Sequence, residues 1–224
     1  MYKNYKAILF GSIGTIVETS ELQRRSFNQA FSEAGLDWNW TLEEYQKMLT
    51  KSGGLNRIND FANQLGIKVN ADALHLRKTE IFDSMMSNEK ISTRPGVTNL
   101  ISYALANGIH LAFVTSTSKT NIDAMFSALN NQIKKSDFSF IGNDKLVSHP
   151  KPNSEIYLKA LSELKLNADD CIAIEDTEVS MRSAIDAKIK CIAFPGAMAS
   201  DNNFSKACLE TKNLFPSHLI EKQI

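Results

Sequence analysis

From about residue 95 onward the chain alternates short apolar runs with helical stretches, and no other feature limits the possible folds as much. After "RPGV" comes a helix, then the strand "HLAFVT", then a helix from Lys119 to Leu129. A short strand "FSFIG", a loop around Lys151 and the helix "SEIYLKALSELK" follow. The strand "CIAIED", the helix "VSMRSAIDA" and the strand "CIAF" complete the series. With an opening strand at "AILF", residues 7–10, five strands are joined by helical crossovers. Right-handed βαβ connections cover both faces of a parallel sheet, so a doubly wound, Rossmann-like α/β core is expected.

The stretch from about 19 to 90 breaks this alternation and reads as helical. Ser20 with Gln23 three places on has the form of a capping box. Leu22, Phe27, Ala30, Phe31 and Ala34 share a face, and Gly35 ends that helix. "TLEEYQKML" repeats the spacing through Leu42, Tyr45, Met48 and Leu49; "SGGLNR" (52–57) interrupts it, and further helices run to about Met86. The expected organisation is an α/β core from residues 1–18 and 91–224 with a helical cap inserted at 19–90. A chain of 224 residues can bury a full core and a smaller accessory domain of this kind.

Charge and composition exclude several function classes. Lys plus Arg and Asp plus Glu are 25 each, so a nucleic-acid or membrane-surface partner is not expected. No apolar run approaches the ~20 residues of a membrane helix. "MYKNYKAILF" is too short in apolar residues for a signal peptide and leads straight into a strand. The three cysteines, Cys171, Cys191 and Cys208, show no paired spacing. Two of them lie in strand-like runs, as buried thiols of a reducing cytoplasm do.

In an open parallel sheet, ligands sit beyond the carboxyl ends of the strands. Four such places carry polar groups here: Gly11 to Thr15, Thr115 with Ser116, Lys151, and Glu175 with Asp176. Each alone has a plain structural explanation, since Thr115 or Ser116 can cap a helix and an acidic pair can favour a helix start. Together they form a set suited to phosphate. Hydroxyls and backbone N–H groups bind its oxygens, lysine neutralises them, and carboxylates offer hard oxygens to Mg²⁺.

These residues, in this order, resemble the haloacid dehalogenase superfamily, in its branch of capped phosphatases and phosphomutases. The family's first motif, Asp-x-Asp-Gly-Thr, stands here as Gly11-Ser12-Ile13-Gly14-Thr15. Its Thr or Ser at a strand end matches Thr115 with Ser116 in "FVTSTS". Its Lys-Pro-x-Pro-Asp/Glu motif matches "KPNSE" from Lys151, with Ser154 for the second proline. Its Glu-Asp-Ser-x-x-Gly motif matches "EDTEVS", Glu175 and Asp176 included, with Ser180 for the glycine. In the cap, "DWNW" and "SGGLNR" resemble the sugar bisphosphate phosphatases, with Leu55 where a lysine usually stands and Arg57 kept.

The resemblance implies phosphate binding by Thr115, Ser116, Lys151, Gly14 and Thr15, and cap-side substrate contacts at Arg57 and Gln23. It also implies that the family's nucleophile and acid/base positions hold Gly11 and Ile13. Losing such a nucleophile costs at least ~10⁴-fold in turnover. No neighbour substitutes for it. Alternation along a strand turns Ser12 toward the core if 11 and 13 face the site, Glu18 lies beyond the turn, and Gln23 is explained by its cap. The family's four carboxylates, one lysine and one Mg²⁺ carry the same net charge as two carboxylates and one lysine without metal. Metal binding at Glu175 and Asp176 is therefore expected to be weak or absent, with Mg²⁺ the cofactor only if the site still holds one.

Three readings stay open: a degenerate phosphatase-like binder of a small phosphorylated metabolite or anion; a working hydrolase or mutase using another route, with water activated by Glu175 or Asp176; and an interaction protein with a vestigial cleft.

Overall fold

The short apolar runs form strands whose side chains alternate between the two faces of one sheet. The computed structural model describes residues 2–50, 53–130 and 132–222. In chain order the strands are β1 (Tyr2–Asn4), β2 (Ala7–Phe10), β3 (His110–Phe113), β4 (Phe140–Ile141), β5 (Cys171–Glu175), β6 (Lys190–Ala193), β7 (Leu209–Glu210) and β8 (Ile220–Lys222). Six of them make a parallel sheet in the order β4-β3-β2-β5-β6-β7, and β1 pairs with β8 in a separate antiparallel ribbon. The five expected strands are present. β7 and the terminal ribbon are additions that two- and three-residue pairings do not announce in the sequence.

The helices are α1 (Ile13–Ile16), α2 (Ser20–Glu33), α3 (Leu42–Met48), α4 (Gly54–Leu65), α5 (Ala71–Asn88), α6 (Val97–Ala106), α7 (Lys119–Ala128), α8 (Glu155–Leu164) and α9 (Glu178–Asp186). On one face of the sheet Ile8, Phe10, Leu111, Phe113, Ile172 and Ile174 pack with α6 and α7 residues such as Leu100 and Met125. On the other, Ala7, Leu9, Ala112, Cys171 and Ala173 pack with Tyr157 and Ala160 of α8 and Met181 and Ala184 of α9. The small residues on this second face let α8 and α9 approach closely. Cys171 and Cys191 are buried and Cys208 is exposed.

Helices α2 to α5 form the cap. Its interior is aromatic: Phe27, Phe31, Trp38, Trp40 and Tyr45 cluster around Ile58, with Phe31 and Trp40 ring centroids 4.7 Å apart. "DWNW" is thus cap core. Trp40 is fixed through its backbone, which donates to Asn28 Oδ1 at 2.8 Å and accepts from Arg24 Nη1 at 2.7 Å. Thr41 and Glu44 make a reciprocal capping box on α3. The capping box expected at Ser20 is absent. Thr19 precedes α2 without a side-chain cap bond, Glu18 accepts from the Ser20 N–H, and Gln23 turns inward instead. Of the "SGGLNR" stretch, Ser52 lies outside the described residues, and α4 begins just after Gly53.

The chain enters and leaves the cap side by side, Val17 bridging Thr93, and Arg94 locks the crossing. Its guanidinium donates to the carbonyls of Gly14 (2.9 Å), Phe194 (2.8 Å) and Pro195 (2.5 Å) and lies over the Phe194 ring. The loop after β6 also reaches the cap: Met198 is buried in the aromatic cluster, and Ala197 N–H donates to Glu18. Among the described residues no helix is long and apolar enough to cross a membrane.

Candidate functional site

The strand order reverses direction at β2, which has β3 on one side and β5 on the other. A crevice opens at such a switch point beyond the carboxyl ends of the strands. Here it continues under the cap as a cleft of about 1040 Å³ whose lining includes Gly11, Ser12, Thr115, Lys151 and Asp176 from the sheet side. Arg57, His75, Lys78 and Gln23 line it from the cap side. The structure therefore brings together every site residue singled out in the sequence except Thr15, which is buried behind Ser12, and Glu175, which lies beneath the floor.

Glu175 ends β5 fully buried. The parallel register sets Phe10 beside Ile174, so the next step places Gly11 next to Glu175 on the α8 face. A Cβ built on Gly11 would fall inside the Glu175 carboxylate; the glycine is what lets that carboxylate lie there. Glu175 Oε1 accepts from Lys151 Nζ at 2.6 Å and from the Tyr157 hydroxyl at 2.5 Å. Lys151, only 6% exposed, also donates to the Gly11 carbonyl at 2.5 Å. Burial raises the Glu175 pKa to about 7, against the pull of the Lys151 ammonium, and Oε2 has no hydrogen-bond partner among the described residues. Burial and the facing Glu175 likewise push the Tyr157 hydroxyl well up, keeping it a donor.

Ser12 is where sequence reasoning failed. The strand ends at Phe10, so period-two alternation no longer applies at 12. Ser12 instead caps α1, with its Oγ accepting from Thr15 N–H at 3.1 Å and donating to Asp176 Oδ1 at 2.7 Å. It is half-buried in the cleft floor, beside Ile13, which is buried against the core and also borders the cleft. Gly14 gives Asp176 the room to come down on Ser12, since a Cβ there would meet Asp176 Oδ2. Thr115, 4% exposed, lies two residues past the end of β3 and accepts from Thr117 N–H at 3.2 Å, and Ser116 stands half-buried beside it.

The cap wall carries a cation that sequence analysis passed over. Lys78 is 5% exposed; it donates to Gln23 Oε1 and stands about 5 Å from the centroids of the Phe27 and Phe82 rings. Burial, reinforced by Arg57, lowers its pKa to about 7. Burial also lowers that of His75 and raises that of Asp83. The signal was present, because Ala71, Leu74, Lys78 and Ile81 share the buried face of α5. A lysine at helical spacing within an apolar stripe needs a reason to be there. Arg57 packs over the Tyr45 ring at 5.3 Å.

Octahedral Mg²⁺ requires several hard oxygen ligands. The donors present do not fit it: one carboxylate is committed to Lys151 and Tyr157, and the other accepts from Ser12. Among the described residues no three His, Cys, Asp or Glu side chains gather to hold a metal ion.

Residues 8–194 match the family described as Haloacid dehalogenase-like hydrolase. The chain is 38% identical over 205 residues to Protein CbbY of Cereibacter sphaeroides, spanning 90% of this chain and 89% of that protein. It is 34% identical to Protein CbbY of Rhodobacter capsulatus, spanning 90% of each. Two crystal structures of CbbY from Rhodobacter sphaeroides superpose with a TM-score of 0.85 at 35% identity, covering 93% of this chain and 94% of theirs. One holds phosphate and the other, of a variant, holds xylulose-(1,5)bisphosphate.

Proposed function

Because the chain belongs to the haloacid dehalogenase-like hydrolases, we propose that it binds a small phosphosugar of the xylulose-(1,5)bisphosphate class in the cleft beneath its cap, without the aspartyl chemistry of that family. The single observation that carries this reading is the Glu175 carboxylate lying where any side chain at 11 would project, neutralised by Lys151 and Tyr157. In this reading residues 1–18 and 91–224 act as the core and 19–90 as the cap. Thr115, Ser116 and Lys151 take one phosphate, with Gly14 and Thr15 shaping the adjoining turn. Arg57 and Lys78, with Gln23 orienting the latter, take the anionic group at the other end. A partly deprotonated Lys78 regains full charge when an anion arrives, because an opposite charge favours the ionised form.

The cleft's size suits a sugar bisphosphate, and cationic side chains line it on both sides, Lys151 from the sheet and Arg57 and Lys78 from the cap. The likeness to CbbY, which holds both phosphate and xylulose-(1,5)bisphosphate, supports the ligand class. Calorimetry with xylulose-(1,5)bisphosphate and with inorganic phosphate, each with and without Mg²⁺, tests the reading. The bisphosphate is expected to bind more tightly than phosphate, and to the same degree in either condition. A Mg²⁺-dependent turnover near ~10 s⁻¹, ordinary for an enzyme, would overturn it. The Ser12–Asp176 hydrogen bond favours a second reading, in which the same cleft also hydrolyses its ligand by a route of its own.

A further inference from the structure

We propose that Ser12 is the nucleophile of a slow, metal-independent phosphoryl transfer in this cleft, with Asp176 as its proton acceptor. The proposal rests on the phosphosugar reading above. A hydroxyl is a weak nucleophile until an adjacent base takes its proton, and the pair must lie within about 2.6–3.2 Å. Ser12 Oγ and Asp176 Oδ1 are 2.7 Å apart, and the Thr15 N–H holds Oγ from the other side. Gly14 is the residue that admits Asp176 to this position. Ser12, Asp176, Thr115, Ser116 and Lys151 line one cleft, so a phosphate held by the last three shares it with the first two. Lys151 and the hydroxyls then face the charge that spreads over the transferring group's oxygens.

The chemistry balances with water as the only co-reactant. In the first step the Ser12 proton passes to Asp176, a bond forms from Oγ to phosphorus, and the bond from phosphorus to the sugar oxygen breaks. Asp176 delivers that proton to the departing sugar oxygen, leaving phosphoserine at 12. In the second step a water gives its proton to Asp176 and bonds to phosphorus, the bond to Oγ breaks, and Asp176 returns the proton to Ser12. A sugar phosphate and one water become the sugar alcohol and inorganic phosphate.

A purely structural Ser12 would cap α1 and never carry phosphate, and this separates the two roles. The full chain is incubated with xylulose-(1,5)bisphosphate in chelator, quenched in acid, digested and examined by mass spectrometry, while binding is followed separately by calorimetry. The expected result is one phosphoryl group on the peptide containing Ser12. It is absent in Ser12→Ala and in Ser12→Gly, a residue tolerated at helix N-caps. It forms about a hundredfold more slowly in Asp176→Asn, the scale lost with a general base. Both Ser12 variants are expected to keep binding the bisphosphate. A wild-type protein that binds yet carries no label, or a label that persists in either Ser12 variant, overturns the proposal. Absence of both label and binding overturns the phosphosugar reading and this proposal with it.

Discussion

Lys151 serves both as the counter-ion of a buried carboxylate and as the cation of the cleft floor, so its removal has two effects of different pH dependence. Lys151→Ala leaves Glu175 buried without its charge partner, a change that costs about 3–5 kcal/mol when the remaining group stays ionised. Below its pKa the orphaned Glu175 escapes that cost by taking a proton. Denaturant titrations are therefore expected to show a larger loss at pH 8 than at pH 5, and phosphate binding is expected to fall at both. Gly11→Ala probes the same arrangement from the other side. Its methyl group displaces the Glu175 carboxylate from Lys151 and Tyr157, for an expected loss of about 1–3 kcal/mol. An unchanged unfolding midpoint for Gly11→Ala would mean that Glu175 does not hold this position. Single residues were also where the sequence was hardest to read. Glu175, Asp176 and Thr115 were legible because the strands they end or follow were, and Lys151 because it stands in the loop between β4 and α8. Ser12 was misread because strand alternation was carried past Phe10, where β2 ends and Ser12 already caps α1. Tyr157 went unremarked because nothing in the α8 pattern separates a core tyrosine from one that donates to a carboxylate.

Among the elements, the loop following β6 joins sheet to cap, and its contribution is measurable. Met198 is 5% exposed within the cap's aromatic cluster, while its neighbour Ala197 donates to Glu18 at the entry to α2. Truncation of a buried methionine costs about 2–5 kcal/mol. Met198→Ala is expected to raise amide exchange in α2 and α3 well above that in β2 and β5, since the cap loses a contact that the sheet does not share. Equal acceleration throughout would show that cap and core unfold together. The regular elements were readable in advance because their patterns are long: β2, β3, β5 and β6 are apolar runs of four or five residues, and α5 to α9 repeat at helical spacing. The start of α2 was read as a capping box at Ser20, yet Gln23 serves Lys78, a partner 55 residues away that no local pattern records. The same limit hid β7, whose two residues pair only because β6 precedes them in space.

For the molecule as a whole, two buried groups, Glu175 beneath the cleft floor and Lys78 on the cap wall, set a distinctive dependence of stability on pH. Glu175 titrates near 7 when folded and at an ordinary 4.5 when unfolded, so the folded state binds the extra proton between those values. Stability from this group is complete below the lower value and is lost as pH rises toward 7. Lys78 titrates near 7 when folded and at an ordinary 10.5 when unfolded, so there the unfolded state binds the extra proton. Its contribution is complete above the upper value and is lost as pH falls to 7. Together they predict a minimum of stability close to neutrality. Thermal unfolding across pH 4.5 to 10.5 is expected to trace that minimum, and Lys78→Met is expected to remove its alkaline limb. A profile that peaks near pH 7 would contradict both assignments.

The carboxylate resting over Gly11 also bears on the order in which the sequence can change. An aspartate cannot be added at 11 while Glu175 keeps its present rotamer, and Glu175 has no reason to leave while Lys151 and Tyr157 hold it. A path to an aspartate at this position therefore crosses a less stable intermediate whichever residue changes first. Glycine at 11 thus works as a ratchet: new uses of Ser12 and Asp176 are easier for this chain to reach than an aspartate at 11.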